Sequence, residues 1–129
     1  MEWIIPCNVK YYDVLGAFAK LSSLNWKQSI KNIAVNDTVY IYVGAPHSAI
    51  LYKCLVTKIN LTEVEIDDQV FRLNGDNYDN YGKHMELQLL QSYPENLISK
   101  EKMAELGVKG RLMGPRSVIP ELKRFLDSL

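Results

Sequence analysis

The sequence predicts an α+β fold: a twisted, partly closed β-barrel of five or six mostly antiparallel strands, with about three short helices on its rim. The clearest sign is residues 38–43, where aliphatic residues alternate with tyrosines at the period of a strand. The predicted strands also mostly follow one another along the chain, and three short segments have helical apolar spacing. With 129 residues the chain has room for one core, so we expect a single domain over residues 1–129.

The first half of the chain is predicted to hold two strands, one helix and one extended segment. Trp3–Cys7 is predicted as a strand, and Lys10–Leu21 as an amphipathic helix, because its apolar residues recur every three or four positions. Trp26–Ser29 is predicted to be extended. The next strand, 38–43, follows a turn at Asn36, since asparagine tolerates a left-handed backbone.

The second half is predicted to add further strands and two helices. The strands are Ala49–Asn60, a poorer pair within Glu63–Leu73, and Met85–Gln91, with a long exposed loop at Leu73–Lys83. A helix over Lys100–Leu106 has Ser99 as its N-cap and ends at Gly107. A last helix has Pro120 in its first turn.

The charge of the chain is balanced overall but segregated along the sequence. Lysine and arginine together number 15, as do aspartate and glutamate. Residues 61–80 carry six carboxylates and one arginine, whereas residues 106–129 carry five basic and two acidic residues. This permits a positive face for a nucleic acid. Two solvated faces of mixed sign explain the pattern equally well.

The motifs of common catalytic and metal sites are not apparent in the sequence. We find no Ser-His-Asp set, no HExxH or CxxC motif and no glycine-rich phosphate loop. We therefore expect a non-enzyme without cofactor or metal, although a small enzyme using Cys7, Cys54 or His47 remains open. The cysteines are predicted to be buried and reduced, as in a cytoplasmic protein. No apolar run reaches the ~20 residues of a membrane span, and the first residues do not resemble a signal peptide.

Aromatic and polar residues suggest a recognition surface. The segment Trp26, Lys27, Gln28 and Ser29 combines a large ring with amide and hydroxyl groups, which suits a planar ligand such as a nucleobase. Tyr42 is a second candidate. Tyr40 and Tyr52 are predicted to belong to the core instead.

The order of several short motifs resembles the EVE domain of the PUA-like superfamily. The motifs are Trp3-Ile4-Ile5-Pro6, Trp26–Ser29, the strand Val35–Tyr42, and Gly114-Pro115-Arg116. The likeness spans nearly the whole chain and is greatest to EVE-like modules associated with modification-dependent restriction. Asn36 stands where these domains more often have glycine, and its tolerance of positive φ should preserve the turn.

The resemblance implies a PUA-like barrel that takes a flipped modified base, methylated or hydroxymethylated cytosine in DNA, into an aromatic pocket. Trp26 would be a wall of the pocket, with Lys27 beside it and Gln28 and Ser29 at the base edge. Its rim would comprise Tyr42, Gly44, Ala45 and Pro46. Gly114, Pro115 and Arg116 would approach the nucleic-acid backbone. Any effector nuclease would be a separate chain.

Arg111 and Arg116 are also candidate phosphate contacts because they flank a turn stiffened by Pro115. Surface ion pairs with Glu105 or Glu121 are the alternative. For the whole chain, two other functions remain open. One is an RNA-binding module like ASCH or PUA domains. The other is a protein-interaction module that uses the acidic stretch Glu63–Asp79.

Overall fold

The computed structural model describes residues 1–75 and 82–129. Within these residues lie six strands, three helices and one 3-10 turn, Gln69–Phe71. The strands are β1 Glu2–Cys7, β2 Ser23–Lys27, β3 Thr38–Val43, β4 Ala49–Leu61, β5 His84–Ser92 and β6 Arg116–Ser117. The helices are α1 Val14–Lys20, α2 Lys100–Glu105 and α3 Pro120–Asp127.

The six strands form one mixed sheet in the order β2-β5-β4-β3-β1-β6. All neighbours are antiparallel except β1 and β3, which run parallel with Trp3 opposite Val39 and Cys7 opposite Val43. Within the described residues, β2 and β6 lie at opposite edges, so the sheet is open. The predicted α+β class, the mostly antiparallel pairing and the three helices are confirmed.

Both faces of the sheet are covered, so the chain has a core on each side. Successive residues of a strand point to opposite faces. Val39 and Ile41 therefore pack on the face covered by α1, and Tyr40 packs on the face covered by α2 and α3. Tyr40 and Tyr52 are buried, as predicted. Cys7 and Cys54 are both buried in the core on the α1 face, which confirms their predicted burial.

The helix ends agree with the capping chemistry of the sequence, except at α1. Ser99 Oγ accepts a hydrogen bond from the Lys102 amide at 3.1 Å, and Gly107 has a φ of +100°. The first helix begins at Val14 instead of Lys10, because the carboxylate of Asp13 accepts the Gly16 amide at 3.0 Å and caps it there.

The segment Glu63–Leu73 is not the predicted strand pair. It is largely irregular, with the 3-10 turn and one isolated bridge between Tyr12 and Arg72. The segment brings the buried Asp68 into the core, where side-chain hydrogen bonds replace strand pairing. Asn36 has the expected positive φ of 76°. Part of the predicted loop Leu73–Lys83 lies outside the described residues. No helix of the described residues is long and apolar enough to cross a membrane.

Candidate functional site

Three adjoining cavities form a groove around the carboxyl ends of β1 and β3. The first, the Trp26 cavity, has a volume of about 180 Å³. The second, the middle cavity, measures about 350 Å³ and shares Pro6, Cys7 and Asn8 with the first. The third, the Met113 cavity, measures about 520 Å³ and shares Tyr42 and Met113, among others, with the second. We call the three together the groove.

The groove passes over the end of the sheet from one face to the other. Trp26 packs against the core on the α1 face, whereas Tyr42 packs against the core on the α2 and α3 face. Between them lie Pro6 and Cys7, paired in register with Tyr42 and Val43 of the parallel strand. The two aromatic residues predicted to share one pocket therefore line different cavities of the same groove.

The walls of the groove are basic. Lys27 and Arg72 line the Trp26 cavity, and Lys100 and Arg111 line the Met113 cavity. Of the described residues that line the three cavities, none is a carboxylate. A cleft lined by charges of one sign focuses the electric field, and a positive cleft attracts anions. An overall neutral chain thus has a locally positive groove.

Trp26 forms one wall of the groove and is fixed by aromatic contacts. Its indole lies edge-on to the Tyr12 ring, with centroids 5.5 Å apart and an interplanar angle of 71°. The Arg72 guanidinium lies over the same Tyr12 ring, 4.8 Å from its centroid. Edge-to-face pairs of this kind add about 0.5–1.5 kcal/mol to area burial. The indole is therefore held in place before any ligand arrives.

A buried polar network supports this wall. Asp68 is fully buried and accepts hydrogen bonds from the Tyr12 hydroxyl at 2.7 Å and the Asn25 side-chain amide at 3.1 Å. Arg72 completes the network, because its Nη2 donates to the Asn25 carbonyl at 3.2 Å and lies 3.8 Å from the Asp68 carboxylate. Burial raises the pKa of Tyr12, and the charge of Asp68 raises it further. The phenol therefore remains a donor.

Sequence reasoning missed the role of this network. Asp68 lies in the acidic stretch Glu63–Asp79, for which the sequence suggests a partner-binding surface. The partners lie far apart in the chain, 43 residues in the case of Asn25 and Asp68, so no local pattern reveals the contact. The one available signal was the pairing of an amide with an adjacent tryptophan at Asn25-Trp26.

Two polar candidates lie beside the groove. The Gln28 side-chain amide donates from Nε2 to Asn60 Oδ1 at 2.8 Å, and its Oε1 accepts the backbone amide of Asn60 at 2.6 Å. Ser29 is exposed beyond the end of β2. Neither is among the described residues that line the three cavities. Lys27 does line the groove, as predicted for a site residue.

Some of the residues predicted to form the pocket rim or to contact the nucleic-acid backbone line the groove, and others do not. Tyr42, Gly44, Ala45 and Arg111 line the Met113 cavity. The described lining does not include Pro46, Gly114, Pro115 or Arg116.

Arg116 instead supports the loop that carries Arg111. Its Nη1 donates to the carbonyl oxygen of Lys109 at 2.9 Å, which closes the loop between α2 and β6. In the described residues, Glu105 pairs with Lys102 at 3.8 Å rather than with Arg111 or Arg116. The proposed ion pair of either arginine with Glu105 is therefore not formed.

No protein-family model matches the sequence, and no curated protein matches it. Several solved structures do match. The crystal structure of ASCH from Zymomonas mobilis has a TM-score of 0.63 at 14% identity, with 99% of this chain and 94% of that chain covered. A crystal structure from Pseudomonas putida has a TM-score of 0.65 at 14% identity, with 99% and 98% covered. A hypothetical protein from Leishmania major has a TM-score of 0.60 at 11% identity, with 98% and 92% covered.

These likenesses concern the fold. They support the PUA-like fold that the sequence resemblance implied, with a named ASCH structure among the matches. They do not single out the EVE domain. The chain therefore has the fold of the ASCH protein of Zymomonas mobilis. In this chain that fold is a mostly antiparallel sheet with helices on both faces.

Proposed function

We propose that this chain is a non-catalytic nucleic-acid-binding module that holds an unstacked modified base against Trp26. The observation that carries the proposal is the groove itself, in which Lys27, Lys100 and Arg111 occur with an aromatic wall and without a carboxylate in the described lining. Nucleic acids combine an anionic backbone with flat bases, and single-strand binders use a positive groove together with aromatic stacking. The groove has both properties.

In this proposal, different residues of the groove contact the base and the phosphate backbone. Trp26 offers a stacking surface, worth about 1–3 kcal/mol for a base, which offsets the few kcal/mol that flipping costs. Lys27, Lys100 and Arg111 line the groove and offer the phosphate contacts. Arg72 differs from them, because its side chain is only 3% exposed and pairs with Asp68. We assign Arg72 to holding Tyr12 and Trp26 in place.

Methylated or hydroxymethylated cytosine in DNA is the ligand class that we favour. The Trp26 cavity is small, about 180 Å³, so a single base is the group that fits it. Asn8 lines this cavity, and its Oδ1 accepts the Lys10 backbone amide at 3.0 Å. That bond directs the carboxamide and leaves its two N–H groups to donate to acceptors on a base edge.

RNA is the second candidate ligand. The match to an ASCH structure supports it, because an RNA-binding module like ASCH or PUA domains is the alternative that the sequence leaves open. The groove attracts either backbone, so its charge does not discriminate between the two nucleic acids. The distinction has to come from the base in the Trp26 cavity and from contacts to the 2′-hydroxyl.

A competition experiment tests the proposal. RNA of one sequence competes with DNA of the same sequence at one salt concentration, and fluorescence anisotropy measures the binding. The DNA is single-stranded or duplex and carries cytosine, 5-methylcytosine or 5-hydroxymethylcytosine. We expect preferential binding of a modified DNA. A preference for RNA that ignores cytosine modification would establish the RNA-binding alternative instead. Absence of binding to all probes would refute nucleic-acid binding. Capture of a protein partner through Glu63–Asp79 would then support the protein-interaction module.

A further inference from the structure

We propose that the Met113 cavity is a second base subsite, which takes the base next to the one held at Trp26. This inference rests on the proposed function and extends it. It implies that the ligand is a single-stranded or locally melted segment of at least two nucleotides. It also implies that the second base is needed for affinity but that its identity is not read.

The course of the groove separates the two subsites. Trp26 lies on the α1 face and Tyr42 on the opposite face of the sheet, and the middle cavity joins them over Pro6, Cys7 and Asn8. The carboxyl ends of β1 and β3 therefore stand between the two cavities as a ridge, because the cavities lie on opposite faces of the sheet. Two bases that remain stacked on each other cannot enter cavities on opposite sides of this ridge. Adjacent bases must therefore separate to fill both.

The chemistry of the Met113 cavity fits a base with its phosphate. Its walls combine apolar side chains with two cations and the phenol ring of Tyr42, and in the described residues they include no carboxylate. These side chains are Tyr42, Lys100, Met103, Arg111, Leu112 and Met113. Apolar side chains and the tyrosine ring offer packing for a base face, while the lysine and arginine complement the negative backbone.

Two properties indicate that this subsite tolerates any base. Met113 is 82% exposed, and a methionine side chain is unbranched and adapts its shape to what it contacts. The cavity is also roomy, about 520 Å³ against about 180 Å³ for the Trp26 cavity. A flexible wall and excess volume do not select by shape. We therefore expect discrimination at Trp26 and tolerance at Met113.

Abasic substitution tests the second subsite. The probe is a labelled single-stranded deoxyoligonucleotide with one 5-methylcytosine between thymidines, in which either neighbouring thymine is removed to leave an abasic sugar. For the wild type we expect removal of one neighbour to weaken binding by roughly 5- to 160-fold, the range of one stacked base. Exchange of that thymine for adenine, guanine or cytosine should change affinity by less than about threefold.

Two variants link the effect to the cavity. In Met113→Ser the abasic penalty should be smaller than in the wild type, because the variant loses the part of the packing surface that Met113 supplies and retains Tyr42, Met103 and Leu112. Val70→Ser is the matched control, since Val70 is 78% exposed and lies outside the described lining of the groove. It should retain the wild-type penalty. Both sites are exposed, so neither change should unfold the protein.

The outcomes separate this inference from the proposed function. Tight binding of the intact probe that depends on Trp26, but with no abasic penalty, would overturn the second subsite and leave the proposed function in place. An equal abasic penalty in wild type and Met113→Ser would also overturn it. Failure of the wild type to bind any probe would overturn both.

Discussion

The phenol ring of Tyr12 stands edge-on against the indole of Trp26, with ring centroids 5.5 Å apart. The hydroxyl of the same tyrosine donates to the fully buried carboxylate of Asp68 at 2.7 Å. The aromatic wall of the groove is thus tied to a buried acid in the irregular segment before β5. A change at Tyr12 should separate the stability of the protein from the chemistry of its site.

Replacement of Tyr12 by phenylalanine should lower stability and leave base recognition largely intact. The ring contact to Trp26 remains, but Asp68 loses its shortest hydrogen bond and keeps those from Asn25. A hydrogen bond to a charged group contributes about 1.5–3 kcal/mol. Urea unfolding measures the loss. Tyr11→Phe is the control, because Tyr11 is 43% exposed and an exposed change of this kind alters stability by less than about 0.5 kcal/mol. Equal unfolding free energies for Tyr12→Phe and wild type would show that the Asp68 contact contributes little.

Removal of the Arg111 side chain should weaken binding of modified and unmodified DNA alike. A phosphate contact releases a counterion, so the slope of log affinity against log salt should fall in magnitude by roughly 0.9 on duplex or 0.7 on a single strand. A salt titration of Arg111→Ala measures the change. Arg124→Ala, on the exposed side of α3, is the matched control. An unchanged slope in Arg111→Ala would show that the nucleic-acid backbone does not contact Arg111.

Asp37 should contribute to stability at neutral pH and lose that contribution in acid. Burial acts to raise the pKa of Asp37, but hydrogen bonds from the Trp3 indole, the Met1 amino group and the Ala34 amide together hold that pKa below its ordinary value. Because the folded-state pKa is the lower one, the stabilisation is fully present above the unfolded pKa, near about 4. It disappears as the pH falls through the folded-state pKa.

Urea unfolding of wild type and Asp37→Asn between about pH 2 and pH 7 tests this contribution. The difference between their unfolding free energies should shrink below about pH 4. At neutral pH the variant should be less stable. Parallel profiles for the two proteins would show that Asp37 does not carry the acid dependence. The difference between the profiles matters, since other carboxylates titrate in the same range.

The sequence predicted β1, β3, β4 and β5 well because their pattern is local. Thr38–Val43 was delimited correctly, and its alternation explains why Tyr40 and Ile41 pack on opposite faces. Alternation within one strand does not show how the faces of two strands correspond, because a shift of one residue reverses every side chain. The single pocket of Trp26 and Tyr42 was predicted from their nearness in the sequence and from the resemblance to EVE domains, whereas the two residues lie on opposite faces of the sheet.

The support of the site was not predictable for a related reason. Asp68 lies in an acidic stretch that suggested a solvated or partner-binding surface, yet it is fully buried. Its burial depends on donors from Tyr12 and Asn25, which are distant in sequence. Composition indicates the average environment of a segment and does not identify the one carboxylate that satisfies a buried network.

The most direct test of the central claim is the affinity of Trp26→Ala for oligonucleotides with and without 5-methylcytosine, measured across a salt series. Loss of one stacked base should reduce affinity for the modified probe by more than about tenfold. The variant should bind both probes alike, with a salt slope close to that of the wild type, because the phosphate contacts remain. A wild-type preference for the modified base that survives in Trp26→Ala would contradict the account.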